Sequence, residues 1–253
     1  PFIDYWLVKG PLLDYIQAVF FYIFGINWQS YVLHASLINA LITISTFFVL
    51  KNFKLKTTYC FLYSLLFSIL AYPSSGTPFI DHHSAFFSLL GIYSLLLAIN
   101  NQRKLYWALI PVFLGFAFLS KQVPATYVIL SVGFILFLYS LVNKKFDCIK
   151  YSLVGSVFFI FLILIFSKSQ GITLSSFLDQ YIFYPQTIGV ERFKNLNLTY
   201  QNIIENFILI HLAIIPLFYE NLKKIFSIKN YIKHNNFYIF LVLLFLTFSL
   251  ILH

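Results

Sequence analysis

The sequence predicts an all-α fold: a polytopic transmembrane helical bundle of about eight spans, with interfacial helices on the outer side. Three observations predict it. The 253 residues are 60% hydrophobic and only 10% charged, with a mean hydropathy of +0.84, more apolar surface than a soluble domain of this length can bury. The apolar residues gather into eight runs separated by short polar loops. The basic residues alternate along those loops, one loop rich and the next poor. Helices follow rather than strands, because chain in lipid must satisfy its own backbone and no run shows the strict alternation of a barrel strand.

The elements follow in order, as one transmembrane domain over 1–253. Residues 1–28 form an outer loop with an interfacial helix. Within it "PLLDYIQAVFFYIFG" (11–25) starts with proline at a helix N1 position and ends with glycine at a C-cap. Leu12, Ile16, Val19, Phe20 and Ile23 share one face of that helix. Six spans occupy 29–167, at 29–50, 57–72, 84–99, 105–119, 123–142 and 151–167. Several are shorter than the ~20 residues needed to cross the hydrocarbon core, so their ends extend into flanking tyrosine, serine and asparagine. Residues 168–202 are a second outer loop, with Leu174, Phe177, Leu178, Tyr181 and Ile182 at helical spacing. Two further spans, 203–219 and 237–253, complete the bundle. Both amphipathic stretches either fill space at the membrane surface or line a site; spacing alone does not choose.

The loop charges orient the bundle. Loops 51–56 (Lys51, Lys54, Lys56), 100–104 (Arg103, Lys104), 143–150 (Lys144, Lys145, Lys150) and 220–236 (Lys223, Lys224, Lys229, Lys233) hold twelve of the seventeen basic residues. By the positive-inside rule these loops are cytoplasmic, and the intervening segments face outward. Asp4, Asp14, Asp81, Asp179 and Glu191 all fall on the outward side. The net charge of +9 is spread over these loops, not gathered into a groove, so no nucleic-acid partner is expected. Cys60 and Cys148 read as free thiols, with no paired spacing for zinc. There is no GxGxxG, Walker loop, CxxC or GxSxG, which removes nucleotide-phosphate and serine-hydrolase chemistry.

A few polar groups stand out against this background. "DHH" (Asp81-His82-His83) closes an outward loop that opens with the turn-rich "YPSSGTP". A carboxylate beside imidazoles is a natural ligand set for a divalent metal cation; it equally holds a phosphate oxygen, orients a sugar hydroxyl, or simply caps a helix. Lys121, in "LSKQVP", interrupts an apolar stretch from 105 to 142 with a hairpin too tight to reach far into water. It either snorkels or meets an anion such as the phosphate of a lipid-linked substrate. Lys9 poses the same choice, just ahead of the interfacial helix and the positive end of its dipole. Asp4 and Asp14 flank Lys9 as salt-bridge partners. In the long outer loop Arg192 and Lys194 with Tyr184 either bind phosphate or sugar or simply belong to a solvated loop. His34 and His211, inside spans, read as helix–helix hydrogen bonders.

"PFIDYWLVKGPLLDYIQAVFFYIFG" resembles the outer loop and interfacial helix of the bacterial GT-C superfamily of membrane glycosyltransferases. The likeness is to protein O-mannosyltransferases and the aminoarabinose and lipopolysaccharide-core transferases. The family's K/H-P/G-P-L motif and its closing F-G correspond to Lys9-Gly10-Pro11-Leu12 and Phe24-Gly25. "GFAFLSKQVPA" (115–125) resembles its later G-L-A-x-L-T-K stretch, and the likeness covers about the first 125 residues. It implies a transferase moving a sugar from a polyprenyl-phosphate donor to a lipid, glycan or protein acceptor at the outer face of the cytoplasmic membrane.

The family's principal catalytic aspartate belongs shortly after its first helix. The resemblance therefore places that helix and acid before Pro1, a reading with which the polar opening and the lack of any methionine agree. Residues 1–253 alone are then expected to insert without transferring sugar. Asp81 and Asp4 become the catalytic carboxylates of this stretch, and Lys9 and Lys121 the donor-phosphate ligands. Tyr184 and Arg192 would contact substrate, and Asp81, His82 and His83 would hold metal or substrate. The rival classes are a transporter or flippase of lipid-linked sugars and a polysaccharide polymerase or ligase. A transporter places charged groups at mid-span. Here the spans are nearly free of them, and the polar cluster is confined to one side.

Overall fold

Apolar runs broken by glycine, proline and asparagine fold into helices, and no strand occurs among the described residues. The computed structural model describes residues 9–73, 75–187, 199–227 and 231–252. In chain order α1 is Leu12–Phe24, α2 Trp28–Asn52, α3 Thr57–Ala71, α4 Ile80–Asn101, α5 Lys104–Ser120, α6 Gln122–Asn143 and α7 Asp147–Ser169. A short α8, Leu174–Phe177, runs on into a π-turn over Leu178–Phe183, and another π-turn, Gln201–Glu205, precedes α9, Ile208–Ser227. A 3-10 turn, Tyr231–Lys233, leads into α10, Asn235–Leu252.

Local chemistry sets the ends. Asn27 accepts from the Ser30 N–H at 2.9 Å and caps α2. Gly25, at φ 83°, ends α1 as expected of a C-cap, its N–H donating to Phe21 O at 2.9 Å. Pro11 stands at the N-cap of α1, one position earlier than the sequence pattern suggests.

Four of these helices, α2, α4, α6 and α7, are long and apolar enough to cross a membrane by length and composition. The expected total of about eight spans is not reached on that criterion. Helices α3 and α5 have 15 and 17 residues. At ~1.5 Å per residue they are ~22–26 Å long, short of a hydrocarbon core of ~30 Å. The run at 203–219 opens as a π-turn before α9 begins.

The described chain forms two units, one over Lys9–Ala125 and one from Thr126 onward. In the first, α4 and α5 make the closest pair. Gly91 lies under the Leu114 side chain, and Leu95, Ala98, Ile99 and Ala117 are wholly buried. Helix α2 is tied to α3 and α4 through polar contacts that an apolar surrounding makes persistent: Asn39 Nδ2 donates to Ser68 O of α3 at 2.9 Å, and the Thr46 hydroxyl meets that of Tyr93 on α4 at 2.8 Å. Helix α1 lies against α2 and α5.

In the second unit, Asn143 Nδ2 donates to the Tyr238 hydroxyl at 3.1 Å while Tyr139 packs edge-on against Tyr238. The Tyr231 hydroxyl donates to Asn221 Oδ1 at 2.6 Å. Helix α7 leaves Val157, Phe161 and Ile165 exposed along its length, a surface for lipid rather than water.

Both amphipathic stretches are helical, and each buries one residue of its apolar face, Phe20 and Tyr181, together with a glutamine. On α1 the buried residues are Gln17 and Phe20, while Val19 and Ile23 are exposed. After α8 it is Gln180 and Tyr181 that are buried, and burial pushes the Tyr181 phenol far above its ordinary range.

Candidate functional site

The turn after α3 brings the chain to Phe79 in extended conformation (φ −133°, ψ 139°), from which α4 starts. Gly76, at φ 66°, tightens that turn, its N–H donating to Pro73 O at 2.9 Å. Asp81 therefore sits in the first turn of α4, where unpaired helix N–H groups favour a carboxylate. Within the same unit α5 ends at Ser120, and Lys121 leaves it in extended conformation (φ −158°, ψ 130°) with its N–H still donating to Ala117 O at 3.0 Å. That turn sends the lysine side chain sideways. Its ammonium forms a short ion pair with Asp81 Oδ1, and its backbone carbonyl accepts from the buried Ser84 hydroxyl at 3.3 Å. Asp81 and Ser84, three residues apart, hold Lys121 from one face of α4. The pair is partly open, with side-chain exposures of 29% for Lys121 and 38% for Asp81.

Lys9 arrives by a different route. Gly10 lies so close to the end of α5 that a Cβ there would overlap the carbonyl oxygens of Ser120 and Leu119. The Lys-Gly-Pro-Leu motif is thus docked directly on the Leu-Ser-Lys motif. Lys9 and Lys121 each lie one residue from that contact, and Lys9 is exposed. Motifs more than a hundred residues apart in the chain form one end of a helical unit, with two ammonium groups and one carboxylate.

The three residues Asp81, His82 and His83 do not converge. His83 points the other way, into the unit: its Nδ1 lies 3.0 Å from Phe79 O and its Nε2 3.0 Å from His34 Nε2. His34 Nδ1 in turn meets the Gln17 side-chain oxygen position at 2.7 Å, and all three side chains are buried. Both His83 nitrogens are therefore occupied. His82 lies beside Phe79 and Phe86, and its Nδ1 is shielded without a partner among the described residues. Among those residues no group of three or more His, Cys, Asp or Glu side chains is placed to hold a metal ion.

The remaining candidates lie elsewhere. Tyr184, half-exposed, belongs to the second unit and follows the π-turn after α8; its carbonyl accepts from the Thr187 hydroxyl at 2.7 Å. Asp4 and Arg192 lie outside the described residues, as does Lys194. His34 bonds between helices, as its place in a span suggests. His211 serves its own segment, donating from Nε2 to Ile203 O at 2.8 Å. Gln17, on a helix that looks purely amphipathic in sequence, is the polar residue that sequence reasoning misses. The one signal for it was an amide among apolar neighbours.

A protein-family model described as dolichyl-phosphate-mannose-protein mannosyltransferase matches residues 8–167. The match covers more than half of the 253 residues and takes in Lys9, Asp81, His82, His83 and Lys121. No curated protein and no solved structure matches the chain.

Proposed function

We propose, from the premise that this chain belongs to the dolichyl-phosphate-mannose-protein mannosyltransferase family, that Lys9, Asp81 and Lys121 form the donor-phosphate end of its active site. Membership makes it a multi-pass membrane glycosyltransferase that uses a polyprenyl-phosphate sugar donor. The observation that carries the finer reading is the ion pair between Lys121 and Asp81, beside the contact that seats Lys9. Two cations at one end of a helical unit, one exposed and one held in reserve by a carboxylate, suit a lipid phosphate lying at the membrane surface.

The chemistry follows from that charge arrangement. The acceptor hydroxyl oxygen attacks the anomeric carbon, and the bond from that carbon to the phosphate oxygen breaks. The polyprenyl phosphate departs with the bonding pair, and the hydroxyl proton passes to a carboxylate. Lys9 and Lys121 neutralise the charge that grows on the leaving phosphate. As Lys121 turns from Asp81 to the phosphate, the Asp81 carboxylate is released to take the proton or to position the hydroxyl. The acceptor is a lipid, glycan or protein.

The positive-inside pattern supports an outward position for this end, and with the resemblance the membrane is a bacterial cytoplasmic one. About eight crossings then require α3, α5 and the two apolar helices near the C-terminus to span with help from their flanking polar residues, or in locally thinned bilayer.

Replacement of Lys121 tests the reading. Lys121→Gln should lower donor turnover about 10- to 100-fold, the loss of one charge-assisted contact to phosphate. Lys121→Arg should retain more. Thermal stability should change little, since a partly exposed ion pair contributes only about 0–1 kcal/mol. Unchanged sugar transfer by Lys121→Gln would remove Lys121, and with it this site, from the reaction.

A further inference from the structure

The buried set Gln17–His34–His83 plays no direct part in the chemistry proposed above, yet it reaches the turn that carries Asp81. Its hydrogen bonds run unbroken across three helices. His83 Nδ1 lies 3.0 Å from the Phe79 carbonyl, which can only accept, so this nitrogen carries the proton. His83 Nε2 is then an acceptor, and His34 Nε2, 3.0 Å away, must donate to it. In a neutral His34 the Nδ1 is consequently an acceptor and needs a donor. The Gln17 amide supplies one once its nitrogen is turned toward His34. Phe20 stacks on His34 with centroids 4.7 Å apart and keeps water from the chain.

Rotation about the α4 axis links this chain to the ion pair. His83 follows Asp81 by two residues, about 200° around a helix turning 100° per residue. One side of the first turn is therefore pinned to α2 and α1 through His83. The opposite side presents Asp81 and Ser84 to Lys121. A turn of α4 that frees the histidine must also carry the carboxylate away from the lysine. We infer that His34 and Gln17 are positioning residues, which fix the first turn of α4 and so aim Asp81 at Lys121. The inference rests on the transferase reading for its catalytic consequence, but its geometric content stands apart from that reading.

Two measurements separate them. The first needs no activity. With Cys60→Ala and Cys148→Ala removing native thiols, Asp81→Cys and Lys121→Cys are introduced together, and bridging by a short bis-methanethiosulfonate is timed in membranes. Adding His34→Leu should slow bridging several-fold. Adding His34→Gln should largely restore it, because a glutamine amide can donate to His83 and accept from Gln17. The second is sugar transfer in the otherwise native protein. His34→Leu should lower kcat about 10- to 100-fold with a small change in donor KM, as expected for a misplaced group. The same change should cost almost nothing more in an Asp81→Asn background.

Bridging that His34→Leu leaves unchanged would overturn the inference, as would equal failure of His34→Gln and His34→Leu. A purely structural role for His34 would give additive losses with Asp81→Asn, which also overturns it. Slowed bridging with full transfer activity would uphold the positioning and overturn the catalytic part assigned to Asp81 and Lys121.

Discussion

Gly10 shows how a single residue composes the site. Its backbone lies against the Ser120 and Leu119 carbonyls, and no rotamer change can relieve a methyl group placed there, because the obstacle is main chain. Gly10→Ala should therefore push the start of α1 off α5, with an overpacking cost of about 1–3 kcal/mol. The expected outcome is a lower melting temperature together with lost transfer. Gly133→Ala is the control: nothing lies within 4 Å of a Cβ there, so it should leave both unchanged or raise stability slightly through helix propensity. A Gly10→Ala protein as stable and active as the parent would show that the contact does not seat Lys9. At this scale the sequence is half legible. Lys9 and Lys121 stand out because a lone lysine at a membrane boundary demands an explanation. The partner of Lys121 does not, because Asp81 is forty residues away across a helical hairpin and pairing follows from where α4 and α5 begin and end. His83 misleads for the same reason. Adjacent in sequence to Asp81 and His82, it points across the helix to His34.

At the scale of elements, apolar periodicity locates helices well but does not say which side packs against protein and which against lipid. The α1 pattern predicts a helix over 11–25, and one forms over Leu12–Phe24. The stripe of Val19 and Ile23 faces out, and the polar Gln17 faces in. Lipid reverses the usual inference: an apolar side chain loses nothing by facing outward, while an amide gains by finding a partner inside. Helix α7 carries this to its limit, with almost none of its apolar length buried. A nitroxide attached through Val157→Cys should be highly accessible to oxygen dissolved in lipid and poorly accessible to a water-soluble nickel chelate. The opposite accessibility would place α7 out of the bilayer. Helix number is where length fails as a guide. Short runs such as 57–72 and 105–119 form helices of 15 and 17 residues, and whether these cross depends on the flanking polar residues and the local bilayer.

Across the whole molecule, charge and hydropathy carry the reading of orientation. Thiols introduced by Ser75→Cys or Gln186→Cys should react with a membrane-impermeant maleimide in intact spheroplasts, and one introduced by Asn101→Cys should react only after permeabilisation. Reaction of the Asn101→Cys thiol in intact cells would reverse the topology and put the Lys9–Asp81–Lys121 end on the inner face. Family membership fixes the class of donor, and the proposed phosphate site rests on the Lys121–Asp81 pair and the Gly10 contact at one end of the first unit. The most direct measurement is the affinity of the purified protein for a polyprenyl phosphate that carries no sugar. The account predicts that Lys9→Gln and Lys121→Gln each weaken binding by about 10- to 100-fold, roughly one charge-assisted hydrogen bond apiece. It predicts the reverse sign for Asp81→Asn, which removes the carboxylate competing with phosphate for Lys121 and should leave binding equal or tighter while transfer falls. Unchanged affinity in both lysine variants, or an Asp81→Asn protein that loses the phosphate as the lysine variants do, would contradict the account.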